Sequence, residues 1–219
     1  KRQALAKVEA APHRRSALAL VNLGIATLPK EAIDEAYVIL SSSPVLASRS
    51  HLTSAIVMTF FDRWGAEDPE AALATAYQRH YDRHGAIRAA YSAWARVAPS
   101  NALASLAEDR AGLRHRDWMA TAQQMSRSLA LHNPVEAARE VVAFEAPVHE
   151  QDNLIASVAG YWADSDPDRA LEWVDQMGSA SRQQMALTVA IHTIVKTDPK
   201  RAADLALGLP EGENRKRLL

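Results

Sequence analysis

The chain has 219 residues, of which 48% are hydrophobic and 23% charged, and its formal net charge is −1. That length suits one large domain or an extended repeat array with a substantial core. Near-neutral charge offers no global field for nucleic acid or an anionic membrane. The absence of cysteine excludes disulfide frameworks, zinc–thiolate and iron–sulfur sites, and cysteine nucleophiles.

Aromatics are only 6%, glycines number 8, and alanine, the best helix former, is abundant, so helices are expected throughout. The longest apolar run, Ala55–Phe61, stops at Asp62 and Arg63, well short of the ~20 residues of a membrane span. The chain opens at Lys1 without a leader pattern and closes on Glu213–Leu219, which reads as the start of another helix. Both ends are therefore expected to be cuts in a longer protein. Alanine- and arginine-rich composition points to a bacterial source, with the periplasm slightly favoured over the cytoplasm as its compartment.

Residues 1–29 are expected to form an N-terminal helix or cap, with a helix at Arg15–Ala26. Residues 30–219 are expected to form a repeat array, opened by a weaker pair of helices at Lys30–Ser41 and Ala47–Gly65. Aligning the chain on Pro69, Pro99, Pro134, Pro167 and Pro199 gives spacings of 30, 35, 33 and 32 residues. Five residues before each proline stands Trp64, Trp94, Leu129, Trp162 or Ile194. Three residues after each stands Ala72, Ala102, Ala137, Ala170 or Ala202, followed by Leu73, Leu103, Ala138, Leu171 or Ala203.

Each column has a physical reason. Asp68, Asn133, Asp166 and Asp198 directly precede their prolines, and Asp and Asn side chains accept orphan N–H bonds at helix starts. Proline suits the first helical position and disfavours helical geometry in the residue before it, so one helix must end where the next begins. The alanine permits close crossing of the two helices. Ala98, before Pro99, lacks a capping side chain and is expected to give the loosest turn.

Between prolines each unit divides into a short and a long helix. The spacing predicts pairs at Ser100–Arg110 and Asp117–Leu131, at Val135–Phe144 and Gln151–Ala163, and at Pro167–Met177 and Ser181–Val195. In the last pair Gly178–Ala180 breaks the chain and Ser181 caps the long helix. A lone hairpin of this kind cannot hide its apolar stripe, whereas a stacked neighbour does. The expectation is an all-α, right-handed superhelical stack of about five to six antiparallel helix hairpins, an α-solenoid with one concave surface.

The stretch from Trp162 to Pro167 and its copies resembles the proline-punctuated ends of tetratricopeptide-like and Sel1-like repeats, over about residues 30–219. The full tetratricopeptide signature, W-x-x-L-G-x-x-Y, is absent, which leaves tetratricopeptide-like, HEAT-like and divergent lineages open. The resemblance implies binding of peptides or protein partners, or service as a superhelical arm of a larger enzyme such as a lytic enzyme of cell-wall glycan. It implies no catalytic residues and no cofactor.

Candidate binding residues fall in the loops between the paired helices. Arg49 and His51 stand in one loop, Arg79, His80, Arg83 and His84 in the next, and Arg110, Arg114, His115 and Arg116 in a third. Stacked side by side, these would make a basic edge for an acidic peptide, phosphate groups or an anionic polymer. A solvated edge serving local helix ends is the plainer reading. The following loop reverses sign, with Glu145, Glu150 and Asp152.

His80 and His84, four apart, would share one helical face and hold a metal only with a third ligand, which the spacing does not supply. A helix terminus explains them more simply. Trp64, Trp94 and Trp162 keep a fixed register and read as packing, whereas Trp118 and Trp173 lie outside it, and Trp173 is a candidate to face the groove. No nucleophile elbow, P-loop, zincin or dinucleotide motif occurs. The expected function is a non-enzymatic binding or scaffolding module, with the oligomeric state left open.

Overall fold

The computed structural model describes residues 23–42, 50–79, 82–209, 211–212 and 215–216. They are helical almost throughout, with no strand among them. Residues 23–26 are helical; the rest of the expected N-terminal cap, up to residue 22, lies outside the described residues. The chain divides into two compact units, Lys1–Val97 and Ala98–Leu219.

The first unit contains a 3-10 turn at Lys30–Ala32, then α1 (Ile33–Ser41), α2 (Ser50–Glu67), α3 (Pro69–Tyr77) and α4 (Arg83–Val97). The second holds α5 (Pro99–Glu108), a 3-10 turn at Asp109–Ala111, α6 (His115–His132), α7 (Pro134–Ala143) and α8 (Val148–Ser165). It continues through α9 (Pro167–Asp175), α10 (Ala180–Ile194) and α11 (Pro199–Gly208). Long and short helices alternate. Within each unit a long helix packs on the next long one, α2 on α4 and α6 on α8 on α10. The short helices α3, α7 and α9 each contact the long helices before and after them. This is a stack of helical hairpins.

The five proline corners share one backbone geometry. Asp68, Ala98, Asn133, Asp166 and Asp198 all have φ between −148° and −141° and ψ between 74° and 86°. At four corners the N–H of that residue donates to the carbonyl of the large apolar residue five before the proline, at 2.7–2.8 Å (Trp64, Leu129, Trp162, Ile194). At all five its carbonyl accepts the first helical bond from the alanine three after the proline, at 2.9–3.1 Å. The −5, −1 and +3 columns are thus the last bond of one helix and the first of the next. The side chains of Asp68, Asn133, Asp166 and Asp198 each accept the N–H two residues after the proline, at 3.0–3.2 Å.

Ala98 makes no capping bond and lacks the closing bond to the −5 carbonyl found at the other four corners, so it is the corner held by the fewest hydrogen bonds, although its dihedrals match theirs. The steric restriction imposed by Pro99 alone keeps it out of helical space. The division between the two units falls at this corner, between Val97 and Ala98.

The buried columns follow from this register. All five alanines at +3 are at most 1% exposed. So is a column at +7 that the alignment did not single out: Ala76, Leu106, Val141, Val174 and Ala206. On the long helices Phe61, Tyr91, Ser126, Ala159 and Ile191, eight before the proline, are buried. Small residues four before the proline, Gly65, Ala95, Ala130 and Ala163, are buried as well. Gly65 shows why size matters there. A Cβ on it would lie 2.4 Å from the carbonyl oxygen of Ala90 in α4.

One local reading is corrected. Ser179, not Ser181, caps α10, accepting the N–H of Arg182 at 3.4 Å; Ser181 already lies inside the helix. Trp94 is half-buried and stacks on Tyr91, ring centroids 6.1 Å apart; at +4 Leu171 is half-buried and Ala203 exposed. His80 lies outside the described residues, and α4 starts at Arg83. His84 therefore sits in a first turn, where the dipole does not favour a cation.

Candidate functional site

The second unit carries two grooves between successive short helices, and they occupy the same place in successive repeats. The first, about 540 Å³, lies between α5 and α7. The second, about 280 Å³, lies between α7 and the α9–α10 junction. Counted from the proline, the trailing wall of the first groove is formed by +6, +9, +10 and +11: Glu140, Ala143, Phe144 and Glu145. The second uses the same four positions: Trp173, Gln176, Met177 and Gly178. The leading walls share +8, Ala107 in one and Val142 in the other.

The grooves are equivalent in position and opposite in chemistry. Glu108, Glu140 and Glu145 line the first beside a single cation, Arg139, over Leu103, Ala104 and Phe144. Glu140 is the most confined of these, its side chain only 9% exposed. Its Oε1 accepts from Ser100 Oγ at 3.0 Å and from Arg139 at 2.8 Å. Its Oε2 takes neither bond. Those two bonds satisfy the inner oxygen of a carboxylate that would be costly to confine without partners.

The second groove is lined by Val142, Trp173 and Met177. Trp173 tilts against Trp162, ring centroids 5.7 Å apart, and stays half-buried; it does face a groove. Val142 is 48% exposed. The one charged lining residue, Arg182, is held by Asp152 at 2.6 Å and by Gln151 at 3.2 Å.

The residues of the proposed basic edge fall in both units. Arg49 and His80 and the side chain of His51 lie outside the described residues. In the first unit the guanidinium of Arg79 lies over the Tyr37 ring at 5.4 Å and bonds its hydroxyl, and Arg83 lies over Tyr77 at 5.2 Å. In the second, Arg110 lies 4.7 Å over Trp118 and pairs with Glu150 at 3.1 Å. His115 also approaches Glu150, at 3.4 Å. Arg114 is 3.5 Å from Asp117, and Arg116 is exposed. The sign-reversed loop thus meets the basic one through Glu150, while Asp152 meets Arg182. Stacking of arginine on aromatic rings accounts for Arg79, Arg83 and Arg110 as covers of the aromatic packing.

Trp118 is fully buried, donates Nε1–H to the Leu106 carbonyl at 2.8 Å and stacks on Phe144 at 5.6 Å. It is core, and it fixes the wall that Phe144 presents to the first groove. No group of three or more His, Asp or Glu arranged to hold a metal lies among the described residues. No helix among them is long and apolar enough to cross a membrane. No family model matches the chain, and neither does any curated protein or solved structure.

The groove residues were within reach of the alignment. At +6 it runs Thr75, Ser105, Glu140, Trp173, Leu205, changing chemistry in every unit, while +3 and +7 stay small or aliphatic.

Proposed function

We infer that this chain is a non-enzymatic repeat module that binds a peptide segment of a protein partner across the short-helix face of its second unit. The observation that carries this reading is the recurrence of a groove at the same four positions in successive repeats. Rigid helices present these walls with little ordering cost on binding, and Val142, which lines the second groove and is about half exposed, gives a ligand something to cover. The proline-punctuated alanine pattern favours a tetratricopeptide-like or Sel1-like lineage, which is consistent with peptide recognition.

The test uses a phage-displayed library of random dodecapeptides selected on the immobilised protein. Selected phage are expected to lose binding to Ala107→Trp, which fills the first groove from its solvent side, while the variant keeps its helical circular dichroism. Failure to enrich any peptide, or enrichment insensitive to Ala107→Trp and to Val142→Trp, would defeat the reading.

A further inference from the structure

We propose that Gln151 is the positioning residue of the peptide face: its side-chain amide holds the stretch of backbone that gives each groove one of its walls. The proposal rests on the peptide-binding reading above and adds the residue that keeps both grooves in shape.

That stretch is the end of α7, which is closed differently from the other four short helices. At α3, α5, α9 and α11 the residue after the helix donates its backbone N–H back into the last turn. Phe144, which follows α7, is extended instead, with φ −67° and ψ 123°, and makes no such bond among the described residues. The last carbonyls of α7 therefore need a donor from outside the helix. Gln151, in the first turn of α8, supplies it. Its Nε2 donates to the carbonyl of Val142 at 2.7 Å and to that of Phe144 at 3.0 Å, with the Val141 carbonyl farther off at 3.4 Å. An amide nitrogen carries two hydrogens, and the two short bonds use both.

The two residues held in this way belong one to each groove. Phe144 lines the first, where its ring stacks on Trp118, and Val142 lines the second. Gln151 itself lines neither. It acts on a bound segment only through the backbone it holds.

The other end of the amide is fixed as well. Gln151 Oε1 accepts from Arg182 Nη2 at 3.2 Å, and Arg182 Nε donates to Asp152 Oδ1 at 2.6 Å. A carbonyl cannot donate and a guanidinium cannot accept, so a single orientation of the amide serves both sides. Arg182 is also the charged residue of the second groove. One side chain thus ties α7 to α8 and α10, and the walls stand in place before a segment binds.

Substitutions at 151 separate the two ends. Gln151→Glu keeps the acceptor for Arg182, loses both donors, and sets an anion against the carbonyl end of α7, where the helix dipole disfavours it. Gln151→Met has a similar length and no donor, and removes the bonds without adding charge. Gln151→Lys gives up the acceptor and restores a donor to the last carbonyls, while Arg182 keeps Asp152.

Peptides selected as above and resynthesised with fluorescein report affinity by anisotropy, at a temperature where circular dichroism shows each variant fully folded. Gln151→Glu and Gln151→Met are expected to bind about tenfold more weakly, because apparent affinity falls with the fraction of molecules whose wall is in place. Gln151→Lys should return to within about threefold of the parent. A residue that served stability alone would shift the urea midpoint and leave the affinity of the folded protein unchanged. If folded Gln151→Glu and Gln151→Met bind like the parent, or Gln151→Lys binds as weakly as they do, the proposal falls; loss of the same peptides on Ala107→Trp or Val142→Trp then leaves the peptide-binding reading standing. If no peptide is selected, both fall.

Discussion

At the corners, one residue does two jobs. The N–H of Asp166 closes the last turn of α8 on Trp162, and its carbonyl and carboxylate open α9 on Ala170 and Arg169. Proline fixes the dihedrals of the residue before it; the aspartate adds a bond to a donor otherwise left to water. Because Ala98 already has the capped geometry without the cap, Ala98→Asp is expected to raise stability by up to about 1 kcal/mol, and Asp166→Ala to lower it by about the same. Equilibrium urea denaturation reads both as shifts in midpoint at constant slope. A fall in midpoint for Ala98→Asp would mean that this corner cannot accept the cap.

Between elements, the deciding quantity is how closely two long helices approach. Gly65 meets Ala90 with no room for a methyl group, the obstruction being backbone rather than a side chain that could move. Gly65→Ala should cost about 1–3 kcal/mol by overpacking, despite the gain in helix propensity. Gly178→Ala, with nothing within 4 Å, should change stability by less than about 0.5 kcal/mol. Urea midpoints for the pair separate the backbone clash at Gly65 from the effect of a methyl group added in open space; equal effects would show that α2 and α4 adjust to the methyl group. Short helices meet the long ones through alanines at +3 and carry their variable side chains at +6 and +9, which is why the grooves form on their side.

Across the whole molecule the charges are arranged in pairs rather than in a field. Arg110 and Glu150, Arg182 and Asp152, Arg96 and Asp62, and Arg201 and Asp168 each join residues at least 30 apart in sequence. The more exposed of these pairs contribute little to stability, but the Arg110–Glu150 pair offsets positive charge in the basic loop of the second unit. The double reversal Arg83→Glu with Arg116→Glu is therefore expected to leave affinity for the selected peptides unchanged within about twofold, on the ordinary scale of rim charges. A large loss, measured by the same anisotropy assay, would move the binding surface to the basic edge.

What the sequence determined by itself is the helical content, the corners and the period. These rest on local physics: proline's fixed dihedral, the reach of an aspartate over the next turn, and alanine's size at a fixed offset act within a few residues. The alignment on five prolines placed the short helices within two residues at their starts, and most long ones within three. It misplaced the α10 cap by two residues because Ser179 and Ser181 are chemically alike, and only the path of the backbone decides which one precedes the helix. The site was decided by tertiary structure. Whether Arg110 faces a ligand or Trp118 and Glu150, and whether Glu140 is solvated or nine-tenths buried beside Ser100, depends on residues 8 to 40 positions away. Partners that distant in sequence meet only because one repeat is laid against the next.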